Sequence, residues 1–360
     1  MVAAAIALAA LTHCAIENPM RHAEWAAEPR RALALWPTAL ILVALTSWLG
    51  PLTAAPPVYA VSSARATNPG AAATGDSPTA VARTVEAAVK STLAGEAVPA
   101  GLQPAIGQLA QDTFDTSCYT LSGQTQVKKC AAGDRAAGQS MLLFGDSHAG
   151  MWLPALDGIG RERHLALEYL IKNGCTPMTV HLWYANQGVQ HDCDAWRDSA
   201  IEAIKASPAD LVVLGSFAYR ANLGDESGNN IPYARSLRVW QAGVSATIKA
   251  IARPGRKVVV LGDPQPMPAL PVDCLSRPGA TMSDCAGRED QGRFNWGQAT
   301  ADAAHQEQAA FVDVRPWFCW ERVCPMVIGG RIAFLDQSHV SQSYLLTLQG
   351  VLAATLFPTS

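Results

Sequence analysis

The stretch MLLFGDSH, residues 141–148, decides the fold and carries the first chemical motif of the chain. Four apolar residues in a row are typical of a short buried strand, and Gly145 permits a tight turn at its carboxyl end. Ser147 would then stand at the start of the following helix, where free backbone N–H groups favour a developing negative charge. Alone, the motif is equally compatible with Asp146 or Ser147 being only a helix cap.

The sequence beyond this motif alternates between strand and helix patterns. Further strands are predicted over 165–171, 211–215, 257–263 and 310–314, and helices over 194–206, 235–252, 291–309 and 342–356. Apolar runs rich in β-branched residues that alternate with helices indicate a parallel sheet covered on both faces. We therefore predict a three-layer, doubly wound α/β fold with a parallel five-stranded sheet. Ligands of such folds bind at the carboxyl ends of the strands.

A second motif, Asp336-Gln337-Ser338-His339, lies just before the last predicted helix. An Asp and a His three residues apart in one loop can place the carboxylate against one imidazole nitrogen and leave the other nitrogen for a serine. A serine hydroxyl needs such a base to become a good nucleophile, and the carboxylate holds the imidazole tautomer. Both motifs, in this order on this pattern, favour a serine-dependent enzyme over two unrelated helix caps.

The two motifs together resemble the first and last conserved blocks of the SGNH hydrolase superfamily. The sequence is most similar to the SGNH domains fused to acyltransferase-3 membrane proteins. Supporting stretches are NGCTP at 173–177, the segment from Cys319 to Cys324-Pro325, and ENPMR at 17–21. The resemblance implies a flavodoxin-like strand order, with Ser147 as nucleophile, His339 as general base and Asp336 as its orienting carboxylate. Gly145, Asp146 and His148 complete the first block.

The same resemblance implies an oxyanion hole made from the backbone N–H groups of Ser147 and Gly174. SGNH enzymes usually add an Asn side chain after the third strand, in a G-x-N block. This chain has Gly215-Ser216-Phe217 there, and Asn222 is misplaced. We therefore expect that one donor is missing or replaced. Such a donor is worth about 10²–10³ in rate.

Two further polar residues near these motifs are interpreted as structural. His148 follows the nucleophile and is more often a structural residue than a base. Asp263 ends the fourth predicted strand, where a turn cap is the commoner role.

Eight of the nine cysteines fall in sequential pairs within loops. A metal site would need C-x-x-C or His partners at ligand spacing, and neither occurs. An even set after a membrane segment favours four disulfides in an oxidising compartment, and pairing of neighbours is the simplest arrangement. The predicted pairs are Cys118–Cys130, Cys175–Cys193, Cys274–Cys285 and Cys319–Cys324.

The N-terminal part predicts a membrane anchor. Residues 33–49 are apolar and uncharged, close to the minimum span of about 17 residues; Trp36 and Trp48 lie at the two ends, and Arg30 and Arg31 precede the segment. The positive-inside rule places the rest of the chain outside the cytoplasm. A cleaved signal peptide is the alternative. Residues 1–16 look like the end of a transmembrane helix whose start is missing, or else like a weak, interfacial helix.

The resulting organisation has four parts. Residues 1–50 are a membrane remnant with one partial and one full transmembrane helix, and 51–76 are a flexible linker rich in Ala, Pro and Gly. Residues 77–135 are a helical and loop-rich extension with Ser77 as helix cap, and 136–360 are the catalytic domain. The formal net charge of −3 gives no indication of nucleic-acid binding.

The favoured function is transfer of an acyl group, with acetyl preferred, to a hydroxyl of a cell-envelope glycan through an acyl-Ser147 enzyme. No cofactor or metal is expected. The partners would be the membrane, a separate acyltransferase-3-type protein or a missing N-terminal domain, and the glycan acceptor. An SGNH-type carbohydrate or acyl esterase is the first alternative, and a degenerate non-catalytic domain is another. A metallophosphoesterase is disfavoured because Asp146-x-His148 lacks the family's further ligands.

Overall fold

The structure is a computed structural model that describes residues 77–218 and 222–358. The described residues all belong to one compact unit, Gly70–Ser360. The predicted transmembrane helices and the predicted linker lie outside the described residues. Among the helices that are described, none combines the length and the apolar character needed to cross a bilayer.

The strands of the described residues include the five that the sequence predicts. In chain order they are β1 (Cys130–Gly133), β2 (Gln139–Gly145), β3 (Leu165–Ile171), β4 (His181–Tyr184), β5 (Gly188–Val189), β6 (Leu211–Gly215), β7 (Leu223–Gly224), β8 (Lys257–Leu261), β9 (Gly287–Arg288), β10 (Ala310–Val312), β11 (Val323–Cys324), β12 (Val327–Ile328) and β13 (Arg331–Ile332).

The central sheet has six strands in the order β1-β3-β2-β6-β8-β10. The last five pair in parallel, and their order is the flavodoxin-like one that the family resemblance implies. The sixth strand corrects the predicted count of five. β1 pairs antiparallel with β3 at the sheet edge, and its short sequence Cys-Ala-Ala-Gly has no apolar run that would reveal a strand.

The helices cover both faces of this sheet. They are α1 (Pro78–Leu93), α2 (Ser147–Gly150), α3 (Leu153–Glu162), α4 (His191–Ala206), α5 (Tyr233–Ile251), α6 (Pro271–Leu275), α7 (Gln291–Gln306), α8 (Gln342–Thr347) and α9 (Gln349–Leu356), with 3₁₀ turns at Ile106–Gln111 and Arg315–Trp317. The predicted final helix is therefore two helices, α8 and α9, which meet at Leu348.

The side chains of the sheet alternate between two hydrophobic cores. Met141 and Leu143 of β2 point into the core shared with α1, α3, α8 and α9, whereas Leu142 and Phe144 point into the core shared with α4, α5 and α7. Successive residues of a strand face opposite sides, so a strand of continuous apolar residues can serve both cores. This is the three-layer arrangement that the sequence predicts.

The extension before the sheet packs on the first of these cores. Val81, Val85 and Val89 of α1 recur every four residues and are buried in it. Ser77 caps α1, because its Oγ accepts a hydrogen bond from the N–H of Ala80 at 3.3 Å. Asp112 accepts a hydrogen bond from Ser343 Oγ of α8 at 2.7 Å. The predicted boundary at residue 136 stays a prediction, but the extension and the sheet share one core.

Four disulfides join the eight loop cysteines in the predicted pairs. The bonds are Cys118–Cys130, Cys175–Cys193, Cys274–Cys285 and Cys319–Cys324. Each closes a short loop of 5 to 18 residues. The first of them holds the edge strand β1, which begins at Cys130.

Candidate active site

The turn after β2 presents Ser147 at the carboxyl end of the sheet. Gly145 is tightly enclosed, since a Cβ there would collide with the carbonyl oxygen of Gly215 on β6. Asp146 caps α2 by accepting the N–H of His148 at 2.8 Å. Its other carboxylate oxygen accepts the N–H of Phe217 at 3.0 Å. The turn is therefore fixed to the neighbouring strand, and Ser147 follows it as the first residue of α2.

Three residues from the two motifs meet at this point. Ser147 Oγ lies 2.9 Å from His339 Nε2, and His339 Nδ1 lies 2.7 Å from Asp336 Oδ2. The sequence separation of Ser147 and His339 is 192 residues. The consistent assignment of protons puts one on Nδ1, donated to Asp336, and leaves Nε2 to accept the serine O–H. This is the geometry that a serine nucleophile needs for activation by a base.

The Asp336 carboxylate is held as an anion. Burial is the largest single effect and would raise its pKa, but the hydrogen bonds from His339 and Ser338 and the charge of His339 together outweigh it. The backbone N–H groups of Ser338 and His339 both donate to Asp336 Oδ1 at 2.7 Å. The pKa of Asp336 therefore lies well below its ordinary value, so the residue stays charged and can stabilise a protonated imidazole.

The oxyanion hole predicted from the sequence consists of the backbone N–H groups of Ser147 and Gly174. Among the described residues, neither the N–H of Ser147 nor that of Gly174 donates a hydrogen bond. Gly174 lies three residues beyond Ile171, which pairs with Gly145, so both amides lie at the same end of adjacent strands. Gly174 has a φ of +70°, a conformation that glycine adopts without strain.

The described residues show no side-chain amide where the G-x-N block would supply one. Ser216 and Phe217 occupy that place, and both donate to Asp146 instead. Asn222 contributes its backbone carbonyl to the N–H of Trp183 at 2.8 Å. Ser216 and Phe217 therefore stabilise the turn after β2, and Asn222 bonds to β4.

A second imidazole–carboxylate pair lies directly behind the triad. His148 Nδ1 lies 2.6 Å from Asp263 Oδ1, and the two side chains are 4% and 10% exposed. The sequence interpretation of His148 as structural and of Asp263 as a turn cap did not foresee their contact. They are 115 residues apart, so no local spacing could indicate it.

A small cavity lies beyond this pair. Its volume is about 50 Å³, and Asp263 and Arg293 line it together with the aromatic side chains of Trp240, Trp296 and Phe311. None of the three triad residues lines it.

The described residues contain one cluster with metal-ligand geometry, formed by Cys175, Asp192 and Cys193. The two cysteines are joined in a disulfide, so they offer no thiolate to a metal. Asp192 is engaged by the buried ammonium group of Lys172 at 2.8 Å. These groups form a structural link between the loops after β3 and the start of α4.

The sequence matches the family model of the SGNH domain fused to AT3 domains over residues 117–354. The chain belongs to this family. The matched SGNH domain contains both motifs and all five parallel strands. A comparison with curated proteins finds no match.

Several solved structures are similar to the SGNH domain at low sequence identity. One is the periplasmic domain of a lipopolysaccharide acetyltransferase from Salmonella ser. Paratyphi A, at 14% identity, a TM-score of 0.44, and coverage of 67% of this chain and 90% of that one. An inhibitor-bound aryl esterase from M. smegmatis has 14% identity, a TM-score of 0.35 and coverage of 61% and 98%. A carbohydrate acetylesterase from Sinorhizobium meliloti has 16% identity, a TM-score of 0.31 and coverage of 60% and 97%.

Proposed function

We propose that the protein is an O-acyltransferase that moves an acyl group, preferably acetyl, to a hydroxyl of a cell-envelope glycan through an acyl-Ser147 intermediate. The observation that carries this proposal is the chain of two hydrogen bonds from Ser147 through His339 to Asp336. Membership of a family whose SGNH domains are fused to AT3 domains supports acyl transfer and a membrane-bound partner.

In the first half-reaction, Ser147 Oγ attacks the carbonyl carbon of the acyl donor while His339 Nε2 takes the hydroxyl proton. Asp336 stabilises the imidazolium that forms. The N–H groups of Ser147 and Gly174 donate to the oxyanion of the tetrahedral intermediate. The intermediate then collapses, and His339 returns the proton to the departing donor oxygen, which leaves acyl-Ser147.

The second half-reaction reverses these roles. His339 removes the proton from the acceptor hydroxyl, whose oxygen attacks the acyl carbon. When the new tetrahedral intermediate collapses, the bond to Ser147 Oγ breaks and the serine takes its proton back from His339. The product is the O-acylated acceptor, and the enzyme returns to its starting state.

The disulfides support a location outside the cytoplasm. Four such bonds within one domain are typical of an oxidising compartment. Combined with the sequence-predicted anchor, they favour a domain on the outer side of the cell membrane, where envelope glycans are accessible. The acyl donor would come from an acyltransferase-3-type membrane partner.

An SGNH-type esterase is the second candidate. In the second half-reaction, His339 can remove a proton from water in the same way as from a glycan hydroxyl. Water would then replace the glycan without any change in the three triad residues. Missing side-chain donation to the oxyanion would slow either reaction alike. The two candidates therefore differ only in the acceptor that reaches acyl-Ser147.

The test compares wild type with Ser147→Ala in two assays, cleavage of p-nitrophenyl acetate and acetylation of envelope glycan in cells. We expect Ser147→Ala to lose both activities and to lose covalent labelling by a fluorophosphonate. Fast ester cleavage by the wild type without transfer to any glycan would favour the esterase. Unchanged activity of Ser147→Ala in both assays would remove the triad from the mechanism.

A further inference from the structure

The His148–Asp263 pair beside the triad has no part in the mechanism above, yet it is unusually well constrained. Asp263 Oδ1 faces His148 Nδ1 at 2.6 Å. Asp263 Oδ2 accepts the N–H of Ala218 at 3.1 Å and a guanidinium N–H of Arg293 at 3.2 Å. A buried carboxylate with three donors is fixed in place, and it fixes the imidazole that it faces in turn.

The ring of His148 lies against the ring of the base. The centroids of His148 and His339 are 4.7 Å apart with planes inclined by 45°, and Phe217 flanks His148 at 4.7 Å. Aromatic pairs attract at centroid distances of about 4.5–7 Å. Phe114 of the extension contacts His339 as well, at 6.3 Å. The half-buried base is therefore held by two neighbouring rings in addition to Asp336.

The charges around His148 strengthen this arrangement. Burial would lower the pKa of His148, but the facing carboxylate of Asp263, with a smaller contribution from Asp146, raises it overall, against the opposing charge of Arg293. The Nδ1–H of His148 donates to the carboxylate of Asp263 as a charge-assisted hydrogen bond, which is about twice as strong as one between neutral groups. The ring that supports His339 is thus not free to rotate.

We infer that His148 and Asp263 are positioning residues that hold the imidazole of His339 in line with Ser147. This inference rests on the proposed function, because it assigns the pair a role in the proton transfer between those two residues. A base must lie within about 2.6–3.2 Å of the proton that it removes. A displacement of about 1 Å can cost on the order of 10²-fold in rate.

The test uses Asp263→Asn, which keeps the shape of the side chain but removes its charge, and His148→Gln, which keeps a donor for Asp263 but removes the ring. We expect kcat for p-nitrophenyl acetate and the rate of fluorophosphonate labelling to fall by about 10–100-fold while KM stays within about twofold. A purely structural role would instead lower the melting temperature and leave the kcat of the folded protein unchanged.

The matched control is His181→Gln. His181 Nδ1 lies 2.7 Å from Asp194 Oδ2, so the pair has the same hydrogen-bond geometry, but it is more exposed, lies on β4 and α4, and makes no hydrogen bond to Ser147, His339 or Asp336 among the described residues. This variant should react like the wild type. If His148→Gln fails to fold, the near-isosteric Asp263→Asn decides the matter.

A kcat for folded Asp263→Asn within about twofold of the wild-type value would overturn the inference and leave the proposed function intact. Absence of labelling in the wild type would instead count against the proposed function itself.

Discussion

Asp336 accepts four hydrogen bonds, one from the His339 ring, one from the Ser338 hydroxyl and two from backbone N–H groups. Asp336→Asn removes the negative charge that stabilises the imidazolium and permits the wrong tautomer. We expect kcat for p-nitrophenyl acetate to fall by about 10²–10⁴-fold. Asp134→Asn is a matched control, since Asp134 pairs with His164 at 3.0 Å on the exposed surface. If kcat of Asp336→Asn equalled that of Asp134→Asn, the proposed role of Asp336 would be contradicted.

The lowered pKa of Asp336 predicts how stability depends on pH. A carboxyl group with a lower pKa in the folded state stabilises that state above its unfolded pKa of about 3.9 and loses this effect as the pH falls through the folded pKa. The free energy of unfolding of the wild type should therefore fall more between about pH 5 and about pH 3 than that of Asp336→Asn. Urea unfolding at the two pH values measures this. An equal fall would show that the carboxyl group is not linked to folding.

At this scale, contacts within one motif, and the Ser147–His339 contact that the family resemblance implies, were predictable, whereas other distant contacts were not. The spacing of Asp336 and His339 alone predicts their contact, and the structure has it at 2.7 Å. The contact of His148 with Asp263 depends on how β2 and β8 are placed in the sheet, and no pattern in either segment encodes it. Phe114 was missed for the same reason.

The turn between β2 and α2 depends on a residue without a side chain. A Cβ on Gly145 would collide with the carbonyl oxygen of Gly215, which cannot move without disturbing β6. Gly145→Ala should therefore lower the free energy of unfolding by about 1–3 kcal/mol and reduce labelling of Ser147. Gly138→Ala, at a site where a Cβ meets no atom within 4 Å, is the control. Chemical denaturation of both variants gives the comparison.

The edge strand β1 is held by one disulfide and by its pairing with β3. Replacing Cys118 and Cys130 by Ser should lower the free energy of unfolding by about 2–4 kcal/mol, because the unfolded chain gains the freedom of a 12-residue loop. Urea denaturation of the oxidised wild type and of the variant measures this loss. An unchanged midpoint would mean that strand pairing alone holds β1.

Strands with a continuous apolar run were easy to predict, and short strands defined only by pairing were not. The predicted limits of β3 and β6 coincide with the structure. β1 and the two-residue strands have too few residues for a periodic signal, and their existence depends on partners far along the chain. The break between α8 and α9 at Leu348 was likewise not predicted, although Gly350 follows it by two residues.

The extension is part of the folded unit, which can be tested with fragments. Residues such as Val81, Val85, Val89 and Phe114 are buried in the same core as the sheet. Each large apolar side chain contributes about 1.5–3 kcal/mol on burial, against a total stability of about 5–15 kcal/mol. A fragment of residues 117–360 should therefore unfold or aggregate, whereas 77–360 should fold. Circular dichroism melting curves distinguish them, and equal curves would contradict the prediction.

At the scale of the whole molecule, the sequence predicted the layers and the strand order but not how the extension docks. The layers follow from alternating elements, which are a local property. The contact of Asp112 with Ser343 joins segments 231 residues apart, and only the folded chain brings them together.

The docking of Asp112 on α8 and of Phe114 on His339 has a practical consequence for protein engineering. The segment that precedes the SGNH domain therefore also contacts His339, the proposed general base. A fusion of this domain to another protein therefore has to include that preceding segment. A chimaera that begins at residue 117, where the family match begins, would keep all three triad residues. It would lose the contacts that Asp112 makes with α8 and Phe114 makes with His339.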